Sequence, residues 1–311
     1  MKYAIIADIH ANLPAFEAVL ADAKEQGAEE YLICGDYFMC MPWANEIMEL
    51  IRSLPNAYVI PGNEDLYFDK CVGKDLKHPE DAQFLAVYWA YQRLNKGHAA
   101  YIEELPEQIE FSAQGVPVFM AHSLKTFVPE TPEERLTSKV ALFFKEETYT
   151  KEAYEKFLYG NLERNIRFQE GIEELKKGIY VFGHSHLQWN YEKNGRIFIN
   201  PGSCGFPLDG NPVPAYTLLT ISDNGKNHTI MQRRVPYDLA GTVAKIRSSE
   251  LYTYAAEWTE IIISEMETAY EQIAFFLQSV EQYAIKLCDP VRPYQTETWK
   301  AAYGLWQQSR I

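Results

Sequence analysis

The chain has 311 residues, 47% hydrophobic and 23% charged, which is enough apolar material for one large globular domain with an appendage and argues against disorder. Its 29 Lys and Arg stand against 43 Asp and Glu, for a net charge of −14. A field of that sign disfavours polynucleotides and anionic membranes as partners but leaves small phosphorylated ligands open, because bound cations invert the local charge. Five scattered cysteines without CxxC spacing read as reduced thiols of a cytoplasmic protein. No apolar run approaches the roughly 20 residues of a membrane span, and the one after Met1-Lys2 is too short for a signal-peptide core.

The predicted elements alternate from the start. Tyr3–Ala7 reads as a strand, and Pro14 to Gln26 as a helix with Pro near its start and Gly27 closing it. Tyr31–Cys34 and Ala57–Ile60 read as further buried strands, with Glu46–Arg52 helical between them. Short buried strands separated by helices predict α/β layering on a largely parallel sheet. Residues 80 to 105 read as helix, and Gln108–Phe111 and Val116–Ala121 as strands around Gln114-Gly115. The stretch from 124 to 176 is charged, interleaved with Tyr and Phe, and helical in pattern from about Lys151. A buried strand returns at Gly178–Phe182, and two hairpins follow, turning at Asn194-Gly195 and Asp223-Asn224-Gly225. After Pro236 the pattern is helical to the end, with one apolar stripe at three- and four-residue spacing through Trp258–Leu287.

Short polar clusters follow the buried strands: Asp8-Ile9-His10, Gly35-Asp36, Gly62-Asn63-Glu64-Asp65, Ala121-His122 and Gly183-His184-Ser185-His186. Ligands of α/β sheets bind outside the carboxyl ends of strands, so these clusters are expected to converge. Imidazole suits Zn, Fe and Mn, and carboxylate or amide oxygens suit Mn and similar ions. The total is three or four ligands for each of two metals if one carboxylate bridges, the recurring device for phosphoryl hydrolysis. A lone Asp-x-His or His-x-His would read as a structural pair, but five such clusters in succession would not. His78, His98 and His228 lie outside the clusters and read as surface or packing residues.

In their order and residue types, Asp8-x-His10, Gly35-Asp36, Gly62-Asn63, His122 and Gly183-His184-x-His186 resemble the signature of the calcineurin-like metallophosphoesterases. The stretches 35–46 and 200–216 are similar to the small bacterial phosphodiesterase branch called YfcE-like. The likeness covers about residues 1 to 236. It implies an α/β fold, a four-layer αββα sandwich of two mixed sheets, here with a helical insertion at about 124–177 and a C-terminal helical cap over 237–311. It implies two divalent transition metal ions (Mn, Fe or Zn), with Asp8, His10, Asp36 and His186 on the first, and Asp36, Asn63, His122 and His184 on the second. A bridging hydroxide would attack phosphorus, and Asn63, Glu64 and His122 are the expected catalytic residues. The expected activity is hydrolysis of a small phosphodiester or nucleotide anhydride. A phosphomonoesterase is the alternative within the enzyme class, and a weakly active binding protein or scaffold, as in one retromer subunit, is the alternative outside it.

Three departures accompany the resemblance. The family's general-acid His after the Asn is here Glu64. A carboxylate beside two dications stays ionised and donates poorly, unless it instead ligates metal or positions water. Phe206 and Leu208 stand where relatives carry a polar or basic pair, implying an apolar pocket wall or packing beneath the loop. The insertion follows His122 directly and is expected to overhang the site, with Lys125, Arg164, Arg167, Phe143, Phe144, Tyr149 and Tyr159 either gripping substrate or forming a separate small core. The C-terminal stripe is expected to pack on its own domain or to serve as a homodimer seam, and residues beyond about 236 are expected to be dispensable for chemistry.

Overall fold

The computed structural model describes all residues except 72, 77, 78, 130, 132, 310 and 311, so the expectation for His78 lies outside the described residues. Strands β1 (Lys2–Ile6), β2 (Glu30–Cys34) and β3 (Ala57–Ile60) run parallel, joined through α1 (Leu13–Glu25) and α2 (Ala44–Ser53). The hairpin of β9 (Ala215–Ser222) and β10 (Asn227–Arg234) completes a five-stranded sheet in the order β10-β9-β1-β2-β3. The second sheet has the order β4-β5-β6-β8-β7, from β4 (Gln108–Ala113), β5 (Val116–Ala121), β6 (Gly178–Val181), β7 (Gln188–Lys193) and β8 (Arg196–Pro201).

Strand alternation decides the layers. Tyr3, Ile5 and Ala7 of the first sheet meet Val118, Met120, Ile179, Val181 and Ile199 of the second in a core between the sheets. Ala4 and Ile6 point the other way, into a core with Phe16 and Val19 of α1 and Ile47 and Ile51 of α2. On the far side, Tyr180, Phe182, Trp189 and Phe198 pack beneath α5 (Glu133–Glu146), α6 (Lys151–Arg164) and α7 (Ile166–Glu174). The result is the expected four-layer sandwich. The insertion supplies its outer helical layer, and its aromatics Phe143, Phe144, Tyr149 and Tyr159 sit in or against that core.

Three sequence expectations are refined. The helical stretch 80–105 is two helices, α3 (Leu85–Arg93) and α4 (Lys96–Glu103), because Asn95 turns the chain and caps α4 by accepting from Gly97 N. The insertion's helices begin earlier than Lys151, at α5. The stripe through Trp258–Leu287 is broken into α10 (Ala256–Thr268) and α11 (Ile273–Lys286) at Ala269, which ends α10 in the left-handed conformation at φ 56°. Neither Gly nor Pro marks that break.

The C-terminal helices are not laid on a finished core. Val243 and Ile246 of α8 (Leu239–Arg247), Leu251 of α9 (Glu250–Tyr254), and Ile262, Ile263 and Met266 of α10 belong to the same buried cluster as α1, α2 and α3. A further cluster joins Phe276 and Val280 of α11 to Trp299 and Trp306 of α12 (Thr296–Ser309). No helix among the described residues is long and apolar enough to cross a membrane.

Candidate metal centre

All five polar clusters meet at one end of the stacked sheets, where the structure brings together every predicted site residue. His10, Asp36, Asn63, Glu64, His184 and His186 line one cleft of about 570 Å³. Asp8 and His122 stand behind them, Asp8 beside His186 and His122 beside Asp36.

The backbone at these positions is costly. Asp8, His10, Asp36, His184 and His186 all have positive φ, between 49° and 70°. For residues bearing a Cβ the left-handed region is disfavoured by roughly 1–2 kcal/mol each, and such strain collects where function needs a particular side-chain direction. Glycines permit the close approach of the loops. A Cβ on Gly35 would lie 2.4 Å from Gly62 N, and one on Gly62 would lie 2.1 Å from Asp36 Oδ1. Asp65 locks these two loops together, accepting from Asp36 N at 2.7 Å, Tyr37 N at 3.0 Å and Gly62 N at 2.7 Å. The 200–206 stretch does the same on the other side: Ser203 Oγ donates to Asp8 O at 2.7 Å, and Asn200 Nδ2 donates to Gly183 O at 2.7 Å.

Two imidazoles are held with Nδ1 hydrogen-bonded to a backbone carbonyl, and a third has Nδ1 near a carboxylate. His122 Nδ1 lies 2.7 Å from Cys34 O, and His186 Nδ1 lies 2.9 Å from Phe206 O. His10 Nδ1 lies at ion-pair distance, 3.2 Å, from Glu64 Oε2. A proton at Nδ1 of His122 and His186 leaves their Nε2 lone pairs facing inward, the arrangement that outer-shell acceptors impose on metal-binding histidines; His10 Nδ1 makes no hydrogen bond. The inward atoms crowd one another. His10 Nε2 and His186 Nε2 are 3.1 Å apart, and His122 Nε2 lies 3.1 Å from both Asp36 Oδ2 and Asn63 Oδ1. Asp8 Oδ2 is buried without a hydrogen-bond partner.

Lone pairs and carboxylates at such spacing repel unless a proton or a cation lies among them. The titration behaviour reports the same conflict. Burial and the Asp36 charge, against His122, push Asp8 up to about 7. Burial opposes charge on His122, yet Asp36 and Asp8 hold it up at about 10. Burial and His10 drive His186 well below its usual value. Three groups of possible donors emerge among the described residues, Asp8–His10–His186, Asp36–His122–His184 and His10–Cys40–Glu64, each within 4.8 Å internally. Burial and Glu64 hold the Cys40 thiol well above its usual value, and the oxygen and imidazole donors of the other two groups fit borderline divalent cations, so the residues present suit the metals expected from the sequence.

Glu64 stands beside His10 and Cys40, within a possible donor group of its own. Its carboxylate faces His10 Nδ1 and accepts from Cys40 Sγ at 3.5 Å, while its backbone N–H donates to Asp36 Oδ1 at 2.8 Å. Phe206 and Leu208 are buried and also line the cleft, with the Phe206 ring centroid 4.6 Å from both His10 and His186. From the insertion, Thr137 reaches the cleft, whereas Arg164 lines a separate recess with Lys139. His98 is buried against Arg52 and His228 pairs with Glu192, as their packing reading implied.

Sequence reasoning missed the opposite wall, formed by Glu265 of α10, Glu271, and Ile273, Ala274 and Leu277 of α11. It also missed Tyr67, whose hydroxyl accepts from Asn63 Nδ2 at 3.4 Å. A buried acidic residue on the apolar face of α10 was the one available signal.

A four-layer sandwich with oxygen and imidazole donors at its strand ends defines a metal-dependent phosphoesterase. The calcineurin-like phosphoesterase superfamily domain matches residues 1–224, and the chain belongs to that superfamily. It is similar to an uncharacterized protein of Methanocaldococcus jannaschii, 27% identical over 270 residues that cover 82% of this chain and 95% of that one. Among solved structures, a metallophosphoesterase from Sphaerobacter thermophilus shares the fold at a TM-score of 0.59 and 22% identity, over 86% of this chain and 99% of that one. A hypothetical protein from Pyrococcus horikoshii does so at 0.55 and 18% identity, over 84% and 97%.

Proposed function

We propose that this phosphoesterase hydrolyses a small phosphodiester with two divalent transition metal ions. The first would be held by Asp8, His10, His186 and Asp36, the second by Asp36, Asn63, His122 and His184. The observation that carries the reading is the pair of inward-facing donor groups at one cleft, with Nδ1 of His122 and His186 each bonded to a carbonyl and His10 Nδ1 3.2 Å from Glu64 Oε2. Two such cations activate water and offset charge on the phosphoryl oxygens. The chain's own residues set the geometry. Asp65 fixes the loops that carry Asp36 and Asn63, and Glu64 orients His10 from behind. Phe206 and Leu208 exclude water beside the reacting phosphate.

The lining favours a diester over a nucleotide anhydride. Among the described residues no Lys or Arg lines the cleft, whereas Glu64, Glu265 and Glu271 do. A polyphosphate would bring added negative charge to a wall that offers it no cation.

The test is turnover by metal-stripped protein with Mn added back, on a nitrophenyl phosphodiester, the matching monoester and a dinucleotide polyphosphate. The expected result is chelator-sensitive turnover with the diester fastest. A faster monoester or anhydride would reassign the substrate. Turnover indifferent to chelation would remove the metals from the account.

A further inference from the structure

We propose that the helical wall of the cleft, through Glu265 and Glu271, selects phosphodiesters in which one alcohol carries a primary ammonium group. This rests on the phosphodiesterase reading above and names the substrate class of that same cleft.

Elsewhere in the molecule, carboxylates withdrawn from solvent stand beside a basic group. Asp22 has Arg233 at 2.6 Å, Asp81 has Lys74 at 3.2 Å, and Asp209 has Arg234. On the floor of the cleft Asp36 has His122 at 3.1 Å and Glu64 has His10 at 3.2 Å. Glu265 and Glu271 are built otherwise. Among the described residues neither forms an ion pair, and no Lys or Arg lines the cleft that both of them face.

Backbone amides hold the two acids in place without neutralising them. The left-handed turn at Ala269 folds the 270–272 loop back over the end of α10, so that Gln272 N and Ile273 N donate to Glu265 Oε1 at 2.6 and 2.9 Å. Glu265 is fully buried, and its Oε2 meets no donor. Glu271 Oε1 accepts from Ala274 N at 2.7 Å. Glu271 is half-buried, so it is the more accessible of the two. Both line the same cleft as His10, Asp36 and His186.

A buried acceptor without a donor is costly, and burial disfavours the charged form of both acids. A ligand that brings a positive charge together with N–H donors relieves both costs. In a site withdrawn from water that contact is worth more than beside an exposed carboxylate. A second phosphate or a carboxylate on the ligand would instead add to the conflict. A primary ammonium serves better than a quaternary one, because an unmet acceptor needs an N–H. The apolar side chains of Ile273, Ala274 and Leu277 continue the same wall and can cover the carbons between ammonium and phosphate. Such a substrate is a zwitterion. Its anionic phosphoryl group belongs at the strand-end donors and its ammonium against Glu271, so its two charges match the two sides of the cleft.

The experiment uses full-length, metal-loaded protein and nitrophenyl phosphodiesters that differ only in the second alcohol. That alcohol is 2-aminoethanol, its uncharged counterpart propanol, or the trimethylated quaternary form of the amine, and nitrophenol leaves in every case. Wild type should show a kcat/KM for the aminoethyl diester roughly 10–100-fold above that for the propyl diester, expressed mainly in KM. The quaternary diester should fall between them. In Glu271→Gln the aminoethyl-to-propyl ratio should drop to near one, and in Glu271→Lys below one. A loss of folded or metal-loaded protein is shared by both substrates and leaves the ratio intact, so damage to the fold does not imitate the expected result. A wild-type ratio of one or less, which needs no variant to fold, would overturn the proposal. So would a ratio that survives both Glu271 variants, or a quaternary diester preferred to the aminoethyl one. A third metal ion in wild type that Glu271→Gln loses would also overturn it, by giving the wall to an inorganic cation. Failure of the phosphodiesterase reading shows separately, as no chelator-sensitive turnover of the propyl diester by wild type.

Discussion

The floor of the cleft is made from seven side chains at strand ends, five of them on left-handed backbone, whereas the facing wall is made from two regular helices and the short loop between them. On the floor, glycines too crowded to carry a Cβ and a buried Asp65 hold strained loops in place. On the wall, ordinary apolar packing of Ile262, Met266 and Phe276 holds a pair of acids that strain does not explain. The difference teaches where specificity can reside. In the proposed reading the floor would be fixed by what two cations require of their donors, while the wall supplies none of those donors.

That contrast can be broken most severely at the floor. Asp36→Ala removes the carboxylate that the proposed reading gives to both cations. Several kcal/mol of charge stabilisation would go with it, about a 10³-fold loss in turnover or more, and metal analysis should show fewer than two ions bound. A fully loaded, active variant would refute the bridging role.

The wall should fail by a different route. Phe276 is fully buried against Trp299, Trp306 and Tyr303. Phe276→Ala should cost about 3–5 kcal/mol in denaturant unfolding. Because α8 to α10 share the main core, deleting everything after 236 should unfold the protein rather than leave a competent floor. A truncated chain that stays folded and metal-loaded would show the cap to be separable.

Glu64 sits between the two regions. If it orients His10, Glu64→Gln should weaken metal binding by about 10–100-fold, as loss of an outer-shell partner does, measured by calorimetric titration of stripped protein. Unchanged affinity would return Glu64 to the role of a spectator. Glu64→His should then not restore a general acid without disturbing metal binding.

The smallest effect is a control remote from the cleft. Asp22 is hydrogen-bonded to Arg233 Nε at 3.0 Å and Nη2 at 2.6 Å. Burial works against its charge, but Arg233 and Tyr216 depress its pKa. A depressed folded pKa contributes stability above the unfolded value of roughly 4, which is lost as pH falls through the folded one. Asp22→Asn should therefore cost about 1 kcal/mol near neutral pH and progressively less below pH 4, with metal content unaffected. A cost that persists in acid would mean that packing, not charge, holds this pair.

The floor was legible in the sequence because its constraints are local. Asp-x-His, Gly-Asp, Gly-Asn and Gly-His-x-His each place polar atoms directly after a buried strand, and the hairpin turns at 194–195 and 224–225 gave the register of β7 to β10. The wall was not legible. Glu265 lies six positions before Glu271 across a break that Ala269 makes without Gly or Pro, so the apolar stripe read as continuous. The contact of Glu64 with His10 was hidden for another reason. Which face of an imidazole a carboxylate meets depends on the left-handed turn at His10, and residue type alone does not encode that turn. The insertion's aromatics were ambiguous between substrate and core, and only the outer face of β6 and β8, which needed covering, decided for the core.

The account's central claim is that the strand-end donors hold two cations, and anomalous scattering from crystals of metal-loaded protein tests it most directly. It predicts two sites per chain, roughly 3.5–4 Å apart as in other two-metal centres, one against Asp8, His10 and His186 and the other against Asn63, His122 and His184, with Asp36 between them. A single site, or metal bound away from Asp36, would contradict it.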